Sequence, residues 1–406
     1  MTAGRLDAVI TGGGPAGCAA AILLARGGWS VALVEKQEFP RRKVCGECIA
    51  ASNLPLLEDL GVGAAIAAAA GPELRKVAWM NGRREVVSSL PAAPDARFPW
   101  GRALGRETLD TLLLREAQRS GAQVLQPWLV QEIEGRVGGW SFLLRGTDSQ
   151  DTMTLRSRVA IAAHGSWEGS PLGRGPGRRA RRASDLLAFK ANFRGAALEA
   201  GTLPVLSLDG GYGGMVLADG GMATVACCIR RDRLEALRAA APGLRAGDAV
   251  ESWLRRECAG VRRALTPAAR AGAWLSAGPI DPGIRLRNAD GIFRIGNAAG
   301  EVHPIVGEGI SMALQSAALL CARLLAGAEP GSAMDEGWQS LMSERYRADW
   351  HRNFARRMRF AAFIAHAAMR PAPSALVMGV LRAWPAFLGA GATWAGKTRL
   401  CATRAG

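Results

Sequence analysis

The stretch 6-LDAVITGGGPAGCAAAILLARGGWSVALVEK-36 decides the fold. Leu6 to Ile10 is an apolar run of strand length, "TGGGPAG" is a glycine turn, Pro15 to Arg26 is a helix of small residues, and "WSVALVEK" is a second strand. Strand, glycine turn, helix and strand within about thirty residues form the βαβ unit that binds dinucleotides. Gly12 allows the tight turn, Gly14 lets the backbone approach a pyrophosphate, and Gly17 lets the helix pack closely on the sheet. Pro15 and Ala16 open that helix, whose unsatisfied amides hold phosphate. Glu35 closes the second strand, next to Lys36. A carboxylate there accepts hydrogen bonds from an adenosine ribose and repels a 2′-phosphate, so the site prefers FAD or NAD to NADP.

The composition around this unit is that of a globular protein. An apolar fraction of 49% and a charged fraction of 21% in 406 residues are enough for two or three cores and exclude a disordered chain. Eight cysteines are too few for a secreted disulfide scaffold, and no second CxxC or histidine pair accompanies Cys45 and Cys48. No metal site is therefore expected, and a reducing, cytoplasmic setting is. The net charge of +16 is concentrated in arginine clusters at 174–182, 230–238 and 345–359. Aromatics are scarce around the first two clusters, and no nucleic-acid motif is present, so a solvated face or an anionic partner is expected, not nucleic acid. Ser374 to Gly396 is apolar but carries Arg382 and Pro385, which argues against a spanning helix. A cap over an apolar site or a peripheral contact with the inner face of the membrane stays open.

After Glu35 the chain runs into "KQEFPRRKVCGECIA". This block resembles the segment after the second strand in the geranylgeranyl reductase branch of FAD-dependent oxidoreductases. That branch is related to the aromatic-ring hydroxylases (p-hydroxybenzoate hydroxylase-like) and flavin halogenases. The matching residues are Phe39, Pro40, Arg41, Lys43, Cys45 and Gly46. The resemblance implies FAD as cofactor, with Arg42, Cys45 and Gly46 beside it and Cys45 near the isoalloxazine. Cys45 and Cys48 read either as a flavin-coupled dithiol or as one motif cysteine and one that packs. Downstream, Arg106 and Asp110 match the family's Arg-x-x-x-Asp helix start, where Thr108 is a candidate cap. Val130 falls where a backbone group meets the adenine. At Ala163-His164-Gly165 a histidine replaces the family's aspartate.

The block "GIFRIGNAAGEVHPIVGEGISMALQSAALLCARLLAG" (291–327) resembles the second FAD signature of the family. Gly296 and Asn297 stand where Gly-Asp grips the ribityl chain. Gly307, Gly309 and Ile310 form the turn and helix start that face the pyrimidine edge of the flavin. The positive end of that helix would favour the anionic reduced ring. His303 is a candidate catalytic acid, as is Cys45 for a catalytic role at the ring.

The expected architecture is an α/β (α+β) two-domain flavoprotein. A Rossmann-like FAD domain comprises 1–75, 100–170 and 280–330, and an antiparallel-sheet substrate domain comprises 76–99 and 171–279. A C-terminal helical cap covers 331–406. The expected activity is reduction or dehydrogenation of C–C bonds in an apolar isoprenoid- or polyketide-like substrate by hydride transfer through flavin N5, with NAD(P)H as electron donor. Three alternatives stay open: monooxygenation of an aromatic or polyketide substrate by the reduced flavin with oxygen, disulfide exchange at the CxxC, and a non-catalytic flavin-binding partner. The halogenase run Trp-x-Trp-x-Ile-Pro is absent. Substrate held on an acidic acyl carrier protein would dock through Arg178, Arg179, Arg181 and Arg182.

Overall fold

The computed structural model describes residues 4–165, 180–286, 290–327 and 334–397. The boundaries expected near 170 and 330, and Arg178 and Arg179 of the first arginine cluster, lie outside the described residues.

The opening stretch forms strand Leu6–Thr11, helix Pro15–Arg26 and strand Val31–Val34. The two strands pair in parallel, Ala8 with Val31 and Thr11 with Val34. Both are almost wholly buried, as a parallel sheet covered on both faces requires. The sheet continues outward from Leu6–Thr11 to Thr152–Ala162, then to the antiparallel pair Gly139–Gly146 and Trp128–Arg136, with Gln123–Leu125 on the other edge. Phe293–Arg294 pairs in parallel with the end of Thr152–Ala162, so the second signature segment returns to this sheet beside the first. The alanine-rich Pro15–Arg26 helix packs on the sheet and against the helices Arg106–Arg119 and Gly309–Gly327. Their shared core includes Ile10, Ile22, Leu33, Leu113, Leu320 and Trp350.

A second sheet has the order Ala269–Arg270, Leu186–Arg194, Ala223–Arg230, Gly211–Leu217, Thr202–Leu208, Lys76–Asn81, Arg84–Ser89, with Leu275–Ile280 also pairing with Leu186–Arg194. It is antiparallel except that Thr202–Leu208 runs parallel to Lys76–Asn81. That exception follows from the path of the chain, which leaves this sheet after Arg84–Ser89, builds much of the first sheet, and returns from a different direction. The helices Arg231–Ala240, Ala246–Glu257 and Ala259–Leu265 cover one face, around the fully buried Trp253 and Phe193. Truncating a side chain such as Trp253 to Ala typically costs about 3–5 kcal/mol.

Helix Glu336–Ala368 spans 33 residues and joins the two halves. Tyr346, Trp350 and Phe354 belong to the first core, whereas Ala365 and Ala368 pack with Trp79, Tyr212 and Ile305 under the other face of the second sheet. Asp335 caps it, accepting a hydrogen bond from the Trp338 amide at 2.8 Å. The following apolar stretch forms two helices, Pro371–Ala383 and Ala386–Trp394, bent by 115° where Pro385 ends continuous helical bonding. Gly309–Gly327 is long and apolar enough to cross a membrane, but two thirds of it is buried in the core.

Candidate functional site

A cavity of about 1660 Å³ runs from the glycine turn to the C-terminal helices. It is larger than the roughly 300–1,000 Å³ typical of a single small-molecule pocket. At one end it is lined by Gly12, Gly14, Pro15, Ala16, Glu35, Lys36, Arg41, Arg106 and Val130. Next come Arg42, Lys43, Cys45, Gly46, Glu47, Gly296, Asn297, Gly307, Gly309 and Ile310. The far end is apolar, with Trp79, Tyr212, Ile305, Ile364, Leu381 and Phe387 among its walls. Residues read from three distant parts of the sequence therefore face one space.

The glycine turn has the geometry its spacing predicts. Gly12 has φ +108°, and a Cβ on Gly17 would lie 1.9 Å from the Gly12 carbonyl oxygen, so no side chain fits there. A Cβ on Gly14 would have only two neighbours, the guanidinium nitrogens of Arg41 and Arg106 at 3.8 and 3.9 Å. The Pro15–Arg26 helix starts without a side-chain cap. Open amides and two cations thus converge on the point where a pyrophosphate would sit.

The carboxylates behind this turn hold the cations in place. Asp110 is fully buried and accepts two 2.7 Å hydrogen bonds from Arg106. Arg41 is buried, lies 3.4 Å from Glu35 and 3.5 Å from Asp110, and rests on the Phe39 ring. Its Nε has no hydrogen-bond partner among the described residues. Glu35 accepts hydrogen bonds from the amides of Gly13 (2.8 Å) and Gln37 (3.0 Å), which aim its carboxylate along the wall. The orphaned Arg41 donor, the uncapped helix and the open space over Gly14 fit a dianionic pyrophosphate, and the whole set fits FAD. Glu35, Lys36 and Val130 would hold its adenosine end. Gly296, Asn297, Gly307, Gly309 and Ile310 would hold its flavin end.

Arg42 lines the cavity with its guanidinium turned to Asn192 (3.3 Å) and Glu107 (3.7 Å), and its neighbour Arg41 reaches toward the space over Gly14. One detail differs from the expectation. Thr108 does not cap the Arg106–Arg119 helix. Its hydroxyl donates to Asp219 at 2.7 Å, and the same carboxylate accepts from the Gly105 amide at 2.7 Å, so the cap comes from the other domain.

Glu47 and Lys190 were not singled out by sequence reasoning. Glu47, next to the Cys45-Gly46 motif, has φ +60° and is the only non-glycine residue described with a positive φ. Its buried carboxylate pairs with the buried Lys190 ammonium and accepts from the Thr224 hydroxyl and the Arg106 amide (2.9 Å). Strain of about 1–3 kcal/mol at such a residue persists only where its surroundings dictate it. Here they clamp the flavin-side loop to the second sheet. A glutamate after Cys-Gly is the one local signal; its partner 143 residues away has none.

Cys45 lines the cavity, and its Sγ accepts from the Glu47 amide at 3.3 Å. Cys45 and Cys48 are both free thiols. Cys48 packs with Leu74, Ala103 and Val216, and burial pushes its thiol up to about 11, so it carries no thiolate near neutrality. His303 is buried, and its Nδ1 shares a 3.2 Å hydrogen bond with the Tyr212 hydroxyl. Burial, helped by His366, lowers its pKa to about 4, so near neutrality it is an uncharged imidazole. Its neighbours Val302 and Pro304 line the cavity, and it reaches the wall through Tyr212. At the flavin end, burial raises the Glu308 carboxyl, opposed by Lys397 3.5 Å away and by Arg357. Lys397 also donates to the Gly307 carbonyl at 3.3 Å, so the end of the described chain closes against the second signature turn.

Residues 5–178 match the FAD binding domain family. Over 358 residues the chain is 28% identical to a menaquinone reductase of Mycobacterium tuberculosis, spanning 84% of this chain and 80% of that one. It is 26% identical over 366 residues to digeranylgeranylglycerophospholipid reductase 1 of Methanopyrus kandleri, spanning 86% and 87% of the two chains. A tryptophan 2-halogenase of Chondromyces crocatus is 36% identical over 127 residues, which is 31% of this chain but only 23% of the halogenase. Among solved structures, a myxobacterial chondrochloren halogenase superposes with a TM-score of 0.74 at 21% identity, covering 96% of this chain and 90% of the other. The structural likeness establishes the shared fold.

Proposed function

The chain belongs to the FAD-dependent oxidoreductases, and from that premise we propose that it reduces or dehydrogenates carbon–carbon bonds of an apolar, isoprenoid- or polyketide-like substrate. The observation that carries this reading is the continuity of the cavity, polar and cationic at its dinucleotide end and aromatic and aliphatic at the other. A single space with these two ends would accommodate a cofactor and an apolar chain together, and Cys45, Gly46 and Gly307 line it between the two ends. The reductase names of the two relatives matched over most of their length favour reduction.

Bound FAD would supply hydride transfer. The chain's own residues do the rest. Arg41 and Arg106 bind the phosphates, Glu35 orients the ribose, and the clamp of Glu47 on Lys190 holds the Cys45-Gly46 loop against the second sheet. The start of Gly309–Gly327, with Lys397 near it, places positive potential where reduction adds negative charge. The apolar wall excludes water from the reacting carbons.

NADH or NADPH is the proposed electron donor. The test is anaerobic rapid mixing of the FAD-loaded protein with each, followed by a geranylgeranyl-bearing lipid and mass spectrometry. Bleaching of the flavin and a product heavier by two hydrogens per reduced bond are expected. A product that has gained an oxygen atom in aerated buffer would replace this reading with monooxygenation.

A further inference from the structure

We propose that helices Pro371–Ala383 and Ala386–Trp394, with Phe363, form a docking face for an anionic lipid surface, and that the cavity opens within this face. Entry of substrate from the bilayer rests on the apolar-substrate reading above; the docking itself does not.

Three independent observations converge on this face. The first is exposure. Among the described residues, Leu376 is 70% exposed, Phe363 68%, Trp394 66%, Trp384 60% and Phe387 57%, and Val380 is exposed beside them. Most of the strongly exposed large apolar side chains among the described residues therefore gather on two adjacent short helices and the end of a third, where scattered ones would be ordinary. Trp384 and Phe387 are also in ring contact, with centroids 6.1 Å apart.

The second is the position of the opening. Phe363, Val380, Phe387 and Trp394 are exposed and also line the cavity, so they form its rim. A rim of this kind is wet and costly in water. Against hydrocarbon it becomes a continuous apolar path from the surface to the flavin end.

The third is charge. From Trp350 to Gly406 there is no Asp or Glu, and there are nine Lys or Arg residues. Arg352, Arg356, Arg359, Arg370 and Arg382 are exposed. Arg370 and Arg382 bracket helix Pro371–Ala383, at its N-cap and in its last turn. Apolar and aromatic side chains framed by arginines, with no carboxylate in the sequence segment, match the interfacial layer of an anionic membrane. The 115° bend makes the two helices too short to span and leaves them as two short interfacial segments. An acidic carrier protein would find the same arginines but would have to cover exposed tryptophans with a polar surface. A lipid surface is therefore favoured.

The experiment is co-sedimentation of the full-length, FAD-loaded protein with phosphatidylcholine vesicles and with vesicles containing phosphatidylglycerol. Binding should be strong to the anionic vesicles, weak to the neutral ones, and reduced by salt. Leu376→Ser combined with Trp384→Ser changes two exposed residues that do not line the cavity, and should lower partitioning by about tenfold or more while flavin content is kept. Arg370→Glu and Arg382→Glu should each cost about fivefold or more on anionic vesicles and little on neutral ones. Equal sedimentation with and without vesicles would overturn the proposal. So would a wild-type homodimer in which the Leu376 and Trp384 substitutions break the dimer, or tight binding to an acyl carrier protein that the same substitutions abolish. Because no turnover is measured, failure here leaves the reductase reading standing, and failure of that reading leaves the docking standing.

Discussion

Acid titration of His303 is a sharp test of the buried network behind the cavity wall. Its pKa falls from 6.5 to about 4 because burial excludes the charge and His366 opposes it. The unfolded chain therefore takes up a proton below pH 6.5 that the folded chain refuses until about pH 4. Above the unfolded value both states are neutral and His303 contributes no pH dependence. As pH falls through this window stability is lost, by about 2 kcal/mol at pH 5 and about 3 kcal/mol once both states are protonated. His303→Gln removes the titrating group and keeps a side-chain partner for Tyr212, so the variant's stability should be flatter over the same window. Its constant offset at neutral pH is irrelevant; the difference in slope carries the prediction. Urea unfolding at half-unit steps between pH 4.5 and 7.5 measures both curves. His366→Ala should make the fall smaller and end it at a higher pH, with its onset unchanged, since one of the two causes that lower the folded pKa is removed. Parallel wild-type and His303→Gln curves would refute the reasoning, and would mean that the imidazole protonates freely in the folded protein.

Three further outcomes are expected. Lys190→Met leaves Glu47 buried without its counter-ion and should cost about 3–5 kcal/mol in thermal or urea unfolding, with much of the loss recovered in the Glu47→Gln/Lys190→Met double variant. Arg41→Met removes one of two cations over the phosphate turn. It should weaken FAD binding by about ten- to a hundredfold, read by flavin fluorescence titration of the stripped protein. Gly17→Ala places a methyl 1.9 Å from the Gly12 carbonyl oxygen and should yield protein without flavin absorbance.

The cofactor end of the site was legible because its signals are local. The turn at Gly12 and the collision that reserves Gly17 for glycine arise within a few residues, and Glu35 follows at the end of the next strand. The second signature is also one continuous run, from Gly296 to the helix at Gly309. Less was legible where a side chain could choose among partners. Arg41 and Arg42 are adjacent and chemically identical, and which of them reaches the space over Gly14 depends on Asp110 and Glu35 on one side and Asn192 and Glu107 on the other. Thr108 looks like a cap until Asp219, 111 residues on, takes its hydroxyl.

By itself the sequence determined the strand–turn–helix–strand unit, its close-packed glycines, its carboxylate, and two further segments that reach the same cavity, because each is encoded by backbone requirements within a short span. Only the tertiary structure decided what those segments enclose. The pairing of Glu47 with Lys190, the link of His303 to Tyr212, and the rim of Phe363 and Phe387 join residues from distant parts of the chain. Such contacts are set by how two sheets and a 33-residue helix pack, and packing leaves no periodic mark in the sequence.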